Sequence, residues 1–335
     1  MRQISTIRCL VTGAPGFVGG HLVDALVERG HSVACLVRST SDTRSLEALR
    51  AKGLPVDLVR GDILDPASLP PALRGVDYVY HVAGLTKSLD PTRYFRVNRD
   101  GTVNLLEACL GTERLRRVLV LSSLSALGPA PPGRPLGESD PPRPITPYGQ
   151  SKLAAERVAA RYRGRLPITV VRPPAVYGPH DRDTLAVFRL VNLGIRPVPI
   201  PRQELSLVDA RDLARGMIAA AEAPSGVGQT YHVANRSTIG YADLARQISA
   251  ALGRRCLPVP IHPAAYLIGG ALGQLANRLS GRARILDLNK AREGMSLSWT
   301  CSAERARADL GFECQIPLER GIRDAVAFYR EAGWL

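Results

Sequence analysis

Residues 7–22 read IRCLVTGAPGFVGGHL, and no other segment narrows the fold as far. The apolar run from Ile7 to Val11 predicts a short buried strand. Gly13, Gly16 and Gly19 then recur at every third position, and Phe17, Val18, Leu22, Ala25 and Leu26 open a helical stripe that ends at Gly30. A strand, a glycine turn and a helix in that order can aim backbone N–H groups and a helix N-terminus at a phosphate. The same glycines would also suit a plain tight turn, so the rest of the chain has to decide.

Strand and helix patterns alternate through the first half. SVACLV (32–37), VDLVRGD (56–62), VDYVYHVAG (76–84), RVLVLSS (117–123) and PITVVRPPAVYG (167–178) read as strands. Between them SLEALRAKG (45–53), a segment ending in NRDGTVNLLEACL (98–110) and GQSKLAAERVAARYRG (149–164) read as helices. This order predicts an α/β fold with a doubly wound parallel sheet, whose ligands sit outside the carboxyl ends of the strands. After Tyr177 the pattern loosens. Residues 179–204 and 255–300 are rich in Pro and Gly and suggest a smaller, irregular region over the sheet, with a further strand and helix in 230–253. The domains expected are therefore 1–178, rejoined by 205–235, and a smaller substrate-binding region over 179–204 and 236–335.

At 335 residues and 45% hydrophobic, the chain can bury a full core. No stretch has the roughly 18 apolar residues of a membrane span. The N-terminus runs straight into the first strand without a charged-then-apolar leader, so no signal peptide is expected. The six cysteines (9, 35, 109, 256, 301 and 314) form no CxxC and no metal-like spacing, which predicts reduced thiols, no metal and a cytoplasmic location. The net charge of +14 raises the question of nucleic acid. Only Lys52, Lys87, Lys152 and Lys290 of the 44 basic residues are lysines, and the arginines are scattered beside Glu and Asp. With no basic tail and no aromatic-interleaved patch, no nucleic-acid partner is expected.

The chemistry concentrates in YGQSK, Tyr148 to Lys152, preceded by SSLSALG from Ser122 to Gly128. Tyr148 and Lys152 are four apart on one predicted helix and so share a face. Ten tyrosines and four lysines give a YxxxK by chance only ~0.1 times. A nearby ammonium stabilises a phenolate, moving tyrosine from its usual pKa near 10 toward working pH as a general acid/base. A serine ending the preceding strand can hydrogen-bond a reacting oxygen.

Together these residues resemble the extended short-chain dehydrogenases/reductases, the NAD-dependent epimerase/dehydratase family, over nearly the whole chain. TGAPGFVG is similar to the family's TGxxGFxG loop, and GDILD (61–65) to its adenine-contacting GDxxD. HVAG (81–84) resembles its diphosphate- and ribose-lining segment, VNRDGT (97–102) its VNxxGT, and RPPAVYGP (172–179) its RPxxVYGP. The resemblance implies a Rossmann fold in which Gly13, Gly16, Phe17, Val18 and Gly19 cradle a dinucleotide. It also implies cofactor contacts from Asp62, Ile63, Val82, Ala83, Gly84, Asn98 and Pro173. Tyr148 would be the acid/base, Lys152 would lower its pKa and hold the nicotinamide ribose, and Ser123 would orient the oxygen, with Ser125 as a neighbouring candidate. Asn98 could organise the site or simply cap a helix. At the end of the second strand stands Arg38 rather than a carboxylate, which favours NADP, with NAD as the alternative.

Departures from the family's patterns narrow the reaction. Leu124 and Ser125 stand where dehydratases carry an acidic pair. Ala175 and Leu205 stand where sugar-nucleotide epimerases grip a diphosphate with asparagine and arginine, although Arg202 or Arg284 could substitute. What remains resembles the branch of 3β-hydroxysteroid dehydrogenases and dihydroflavonol reductases. The expected activity is interconversion of a secondary alcohol and a ketone on a hydrophobic, steroid- or terpenoid-like small molecule. A sugar-nucleotide epimerase and a non-catalytic cofactor-sensing protein are the alternatives. From Cys256 to Asn277 the chain carries no charge, and Leu267, Leu272 and Leu275 help make it strongly apolar. It could be a core helix, a lid over a greasy substrate or a segment contacting a membrane surface. A homodimer is compatible with all of these readings.

Overall fold

A computed structural model of the chain describes residues 7–199, 201–280 and 288–335. Its strands are β1 (Arg8–Thr12), β2 (Ser32–Val37), β3 (Val56–Arg60), β4 (Tyr78–His81), β5 (Arg117–Leu121), β6 (Ile168–Arg172), β7 (Ala175–Tyr177), β8 (Ile195–Pro199), β9 (Glu204–Leu205), β10 (Leu207–Asp209), β11 (Thr230–His232), β12 (Ile239–Gly240), β13 (Leu257–Ile261) and β14 (Ser298–Trp299). Its α-helices are α1 (Phe17–Glu28), α2 (Arg44–Ala51), α3 (Pro91–Phe95), α4 (Gly101–Cys109), α5 (Pro147–Tyr162), α6 (Leu185–Asn192), α7 (Ala210–Glu222), α8 (Tyr241–Leu252), α9 (Pro263–Ser280), α10 (Leu288–Met295), α11 (Glu304–Leu310) and α12 (Leu318–Glu331).

Seven strands form one parallel sheet in the order β11-β6-β5-β4-β1-β2-β3. The doubly wound fold expected from the alternation is present. Successive strand residues serve opposite layers: Cys9, Val11, Val33 and Cys35 pack under α1 and α7, while Leu10, Ala34, Val118 and Val120 pack under α4 and α5. Burial on both faces explains why these strands read as continuous apolar runs rather than alternating ones. The chain order reverses between β1 and β4, so a crevice opens at the carboxyl ends of those two strands. A separate core of Tyr177, Leu185, Phe188, Ile248, Ile322 and Tyr329 joins α6, α8 and α12 beyond the sheet.

Three local readings need correction. The run 167–178 is two strands, because Pro173 and Pro174 lack the N–H groups a ladder needs. After them β7 leaves the main sheet and pairs with β10, Ala175 opposite Leu207. The helix that ends in 98–110 is not one uniform helix but α3, one π-helical turn over Arg96–Asp100, and α4. The region 255–300 is also more regular than its composition suggests, since α9 spans 18 residues within it. Arg284 and the side chain of Leu275 lie outside the described residues.

Candidate active site

The crevice is a cleft of about 1760 Å³, larger than the roughly 300–1,000 Å³ of a usual small-ligand pocket. Its floor is the glycine turn, and the three glycines do different work there. Gly13 has φ +75°, and a Cβ on it would lie 2.7 Å from the Ala83 backbone nitrogen, so this position lets the loop pass close to the end of β4. A Cβ on Gly19 would lie 2.1 Å from the Gly13 carbonyl oxygen, so Gly19 lets α1 press on the loop. Gly16 is exposed to the cleft and starts α1 with no side-chain cap and no acidic residue in the first turn. The leading amides of α1 are thus open to an anion at the positive end of the helix dipole. This cradle, which side chains would fill, fits a dinucleotide diphosphate.

Phe17, Val18, Val82, Ala83, Gly84 and Pro173 line the same cleft. Asp62 and Ile63 line it near the end of β3; the Asp62 carboxylate accepts the Leu64 N–H at 2.9 Å. Arg38 also lines the cleft, just past β2, beside Ser41 and Arg44. Its backbone N–H donates to Ser41 Oγ at 3.1 Å, while its guanidinium makes no ion pair among the described residues. Asp42 faces the same end but is held in a two-point pair with Arg44, at 2.9 and 2.5 Å.

Ser123, Tyr148 and Lys152 line the same cleft. Pro147 and the Thr146 side chain, which accepts the Gly149 N–H at 3.2 Å, start α5 just before Tyr148. Gly149 permits the close approach that brings the helix to Ser123, since a Cβ there would lie 2.2 Å from the Ser125 carbonyl oxygen. Ser123 Oγ accepts the Ser125 N–H at 3.1 Å and keeps its own proton for another acceptor. Ser125 therefore contributes its amide to orient Ser123, although its residue also lines the cleft.

Lys152 is buried, and its Nζ donates to the Leu121 carbonyl at 2.7 Å. Burial lowers its pKa to about 8, and the Glu156 carboxylate one turn on opposes that shift. Glu156 in turn accepts two hydrogen bonds from buried Arg172, at 2.8 and 2.6 Å, and one from Ser122. Tyr148 lies edge-on to Tyr94, with ring centroids 6.2 Å apart.

Asn98 does not line the cleft and caps no helix; it sits inside the π-helical turn, buried. Its side chain accepts the Leu85 N–H at 2.7 Å and donates to the Leu85 carbonyl at 3.1 Å and to Ser151 Oγ at 2.8 Å. It thereby ties the loop after β4 to α5. Behind it runs a proton-ordered chain. Thr102 donates its one hydroxyl proton to the Asn98 carbonyl at 2.6 Å, so it must accept from His81 Nε2 at 3.0 Å. His81 Nδ1 then accepts the Thr12 hydroxyl at 2.8 Å, and Thr12 accepts the Ala83 N–H at 3.2 Å. Full burial pushes the His81 pKa down to about 3, so the ring stays neutral and the chain keeps one direction.

The far end of the cleft was not legible from local motifs. Ala175 and Leu205 do line it, joined by Tyr241, Tyr266, Trp299 and Glu293. These residues come from β7, β9, α8, α9, β14 and α10, and Ala175 and Trp299 stand 124 residues apart in the chain. Leu267 and Leu272 are not part of this wall. They lie on the outer side of α9, which turns Tyr266 inward against Gly294, where a Cβ would meet the ring at 2.8 Å.

The NAD dependent epimerase/dehydratase family matches residues 9–234, a span from β1 past β11. The chain belongs to that family. It is an enzyme of the NAD(P)-dependent, extended short-chain dehydrogenase/reductase type. Its relatives include a ceramide reductase of Caulobacter vibrioides, 30% identical over 97% of this chain and 95% of the relative. A 3 beta-hydroxysteroid dehydrogenase/Delta 5-->4-isomerase of Mycobacterium tuberculosis is 28% identical over 96% of this chain and 90% of the relative. Among solved structures, the Thermus thermophilus UDP-glucose 4-epimerase in complex with NAD shares the fold, with a TM-score of 0.77 and 24% identity over 97% of this chain and 100% of that one. No helix among the described residues is long and apolar enough to cross a membrane.

Proposed function

We propose that this member of the family reduces, or reversibly oxidises, a ketone/secondary-alcohol pair on a largely apolar substrate. The observation that carries this reading is the far wall of the cleft. Ala175, Leu205, Tyr241, Tyr266 and Trp299 offer apolar and aromatic surface there, and the charged residue among them is an acid, Glu293. A sugar diphosphate brought against that wall would lose hydration that its apolar and aromatic side chains do not replace. A hydrocarbon body would gain about 25 cal/mol for each Å² buried. Relatives named for ceramide and hydroxysteroid chemistry agree with this preference.

The glycine cradle, Val82, Ala83 and Lys152 would hold the dinucleotide. Arg38, with no acid paired to it among the described residues, would favour a 2′-phosphate and hence NADP over NAD. When bound, the nicotinamide supplies or accepts the hydride. Ser123 donates its free hydroxyl proton to the substrate oxygen and fixes its position. Tyr148 gives the proton to that oxygen during reduction and takes it back during oxidation. Lys152, held by the Leu121 carbonyl, places its ammonium where it stabilises the phenolate that Tyr148 then becomes. In this reading residues 1–178 and 205–235 carry the cofactor, and 179–204 with 236–335 carry the substrate.

A cofactor-absorbance screen over hydrophobic cyclic ketones, sterols and sugar nucleotides, paired with calorimetry against UDP, tests the proposal. Turnover of an apolar ketone with no measurable UDP binding supports it. Micromolar binding of UDP to the cofactor-loaded enzyme contradicts it and favours an epimerase.

A further inference from the structure

α9 is built inside out on one side. Among its described side chains the exposed ones are Ala264, Ala265, Leu267, Ile268, Ala271 and Leu272, which recur at helical spacing and are all apolar. Ile268 and Leu272 are 62% and 63% exposed. The strand that leads into the helix is equally unusual. In β13 Leu257 is 76% exposed, and its N–H donates to the Gly194 carbonyl at 2.9 Å, which sets it beside Leu193, itself 77% exposed. Four large apolar side chains stand in water here, Leu193 beside the start of β13 and Leu257, Ile268 and Leu272 along β13 and α9, more than a folded surface usually leaves unpartnered.

The same place is basic. Arg254 and Arg255 are exposed immediately before β13, and Arg196 stands opposite Pro258 across the β8–β13 pair. None of the three makes an ion pair among the described residues, whereas the chain has no charged residue from 256 to 277. Apolar tips beside guanidinium groups that no carboxylate neutralises among the described residues match the two layers of an anionic bilayer surface, with its headgroups outside and its acyl chains within. They match a second copy of this chain poorly, because two such faces would bring arginine against arginine.

We infer that the outer face of α9, with Leu257 and Leu193, docks the enzyme on an anionic lipid surface. The inner side of the same helix carries Tyr266 into the apolar end of the cleft, so docking puts that end of the site next to the bilayer. Supply of a membrane-dissolved substrate by this route rests on the proposed function; the docking itself does not.

The test is sedimentation of the full chain with phosphatidylcholine vesicles, with and without phosphatidylserine, at low and high salt. Binding to the anionic vesicles that weakens in high salt is expected. The double variant Ile268→Gln/Leu272→Gln should bind roughly tenfold more weakly, as should Arg254→Glu/Arg255→Glu. Both should keep wild-type turnover of a water-soluble ketone and an unchanged Tm. Absence of binding to anionic vesicles overturns the inference. So does a dimer in solution, seen by light scattering, that Ile268→Gln/Leu272→Gln converts to monomer. An inactive enzyme that still binds vesicles would count against the proposed reaction alone.

Discussion

At the scale of single residues, the site depends on charge states fixed by burial. Lys152 is the clearest case, since burial lowers its pKa to about 8 while Glu156 pulls it upward. Its ammonium is therefore present below about pH 8 and is lost above it. Reduction should be level below that pH and fall as pH rises through it, seen as kcat/KM against pH. Glu156→Gln removes the carboxylate that favours the ammonium, so the fall should move to lower pH. It should also destabilise the fold, by at most about 3–5 kcal/mol in urea, because buried Arg172 loses its counter-charge while keeping its bond to the Glu138 carbonyl. A fall that stays in place would show that another group titrates there. Arg38 tests a different charge. Arg38→Asp sets a like charge against a 2′-phosphate, so preference should pass from NADP to NAD in binding titrations. Equal weakening for both cofactors would mean that the arginine only supports its loop.

At the scale of elements, the strands and most helices were legible because both layers of a doubly wound sheet need apolar runs and helical stripes. The glycine turn and YGQSK were legible for a related reason: close backbone approach and shared helix faces leave fixed spacings. What escaped was set by distant partners. Nothing local says that Tyr266 faces a cleft and Leu272 faces water, since the two differ only in what packs against α9. Asn98 likewise could be read as organising the site or as a cap; it caps no helix, and its bonds to Leu85 and Ser151, 13 and 53 residues away, tie the loop after β4 to α5. The glycine turn offers a paired test. Gly19→Ala would drive a Cβ to 2.1 Å from the Gly13 carbonyl, whereas a Cβ on neighbouring Gly20 would find nothing nearer than 3.9 Å. Gly19→Ala should lower cofactor affinity by roughly tenfold or more, since the loop must shift. Gly20→Ala should leave affinity alone and raise stability by about 0.5–1 kcal/mol through helix propensity. Equal effects on affinity from both variants would remove the close-packing role given to Gly19.

At the scale of the whole molecule, one sheet holds both halves of the reaction. The glycine turn sits where the strand order reverses, Ser123, Tyr148 and Lys152 line the same cleft, and in the proposed function segments distant in the chain supply its apolar wall. The central claim is that this assembly moves a proton through Tyr148 while a hydride passes to or from an apolar substrate. The most direct measurement follows cofactor absorbance with a hydrophobic cyclic ketone, comparing wild type with Tyr148→Phe at matched cofactor occupancy. The account predicts turnover by the wild type and a loss of roughly 10²–10⁴-fold in the variant, with cofactor affinity nearly unchanged. Comparable rates in the two proteins would contradict it.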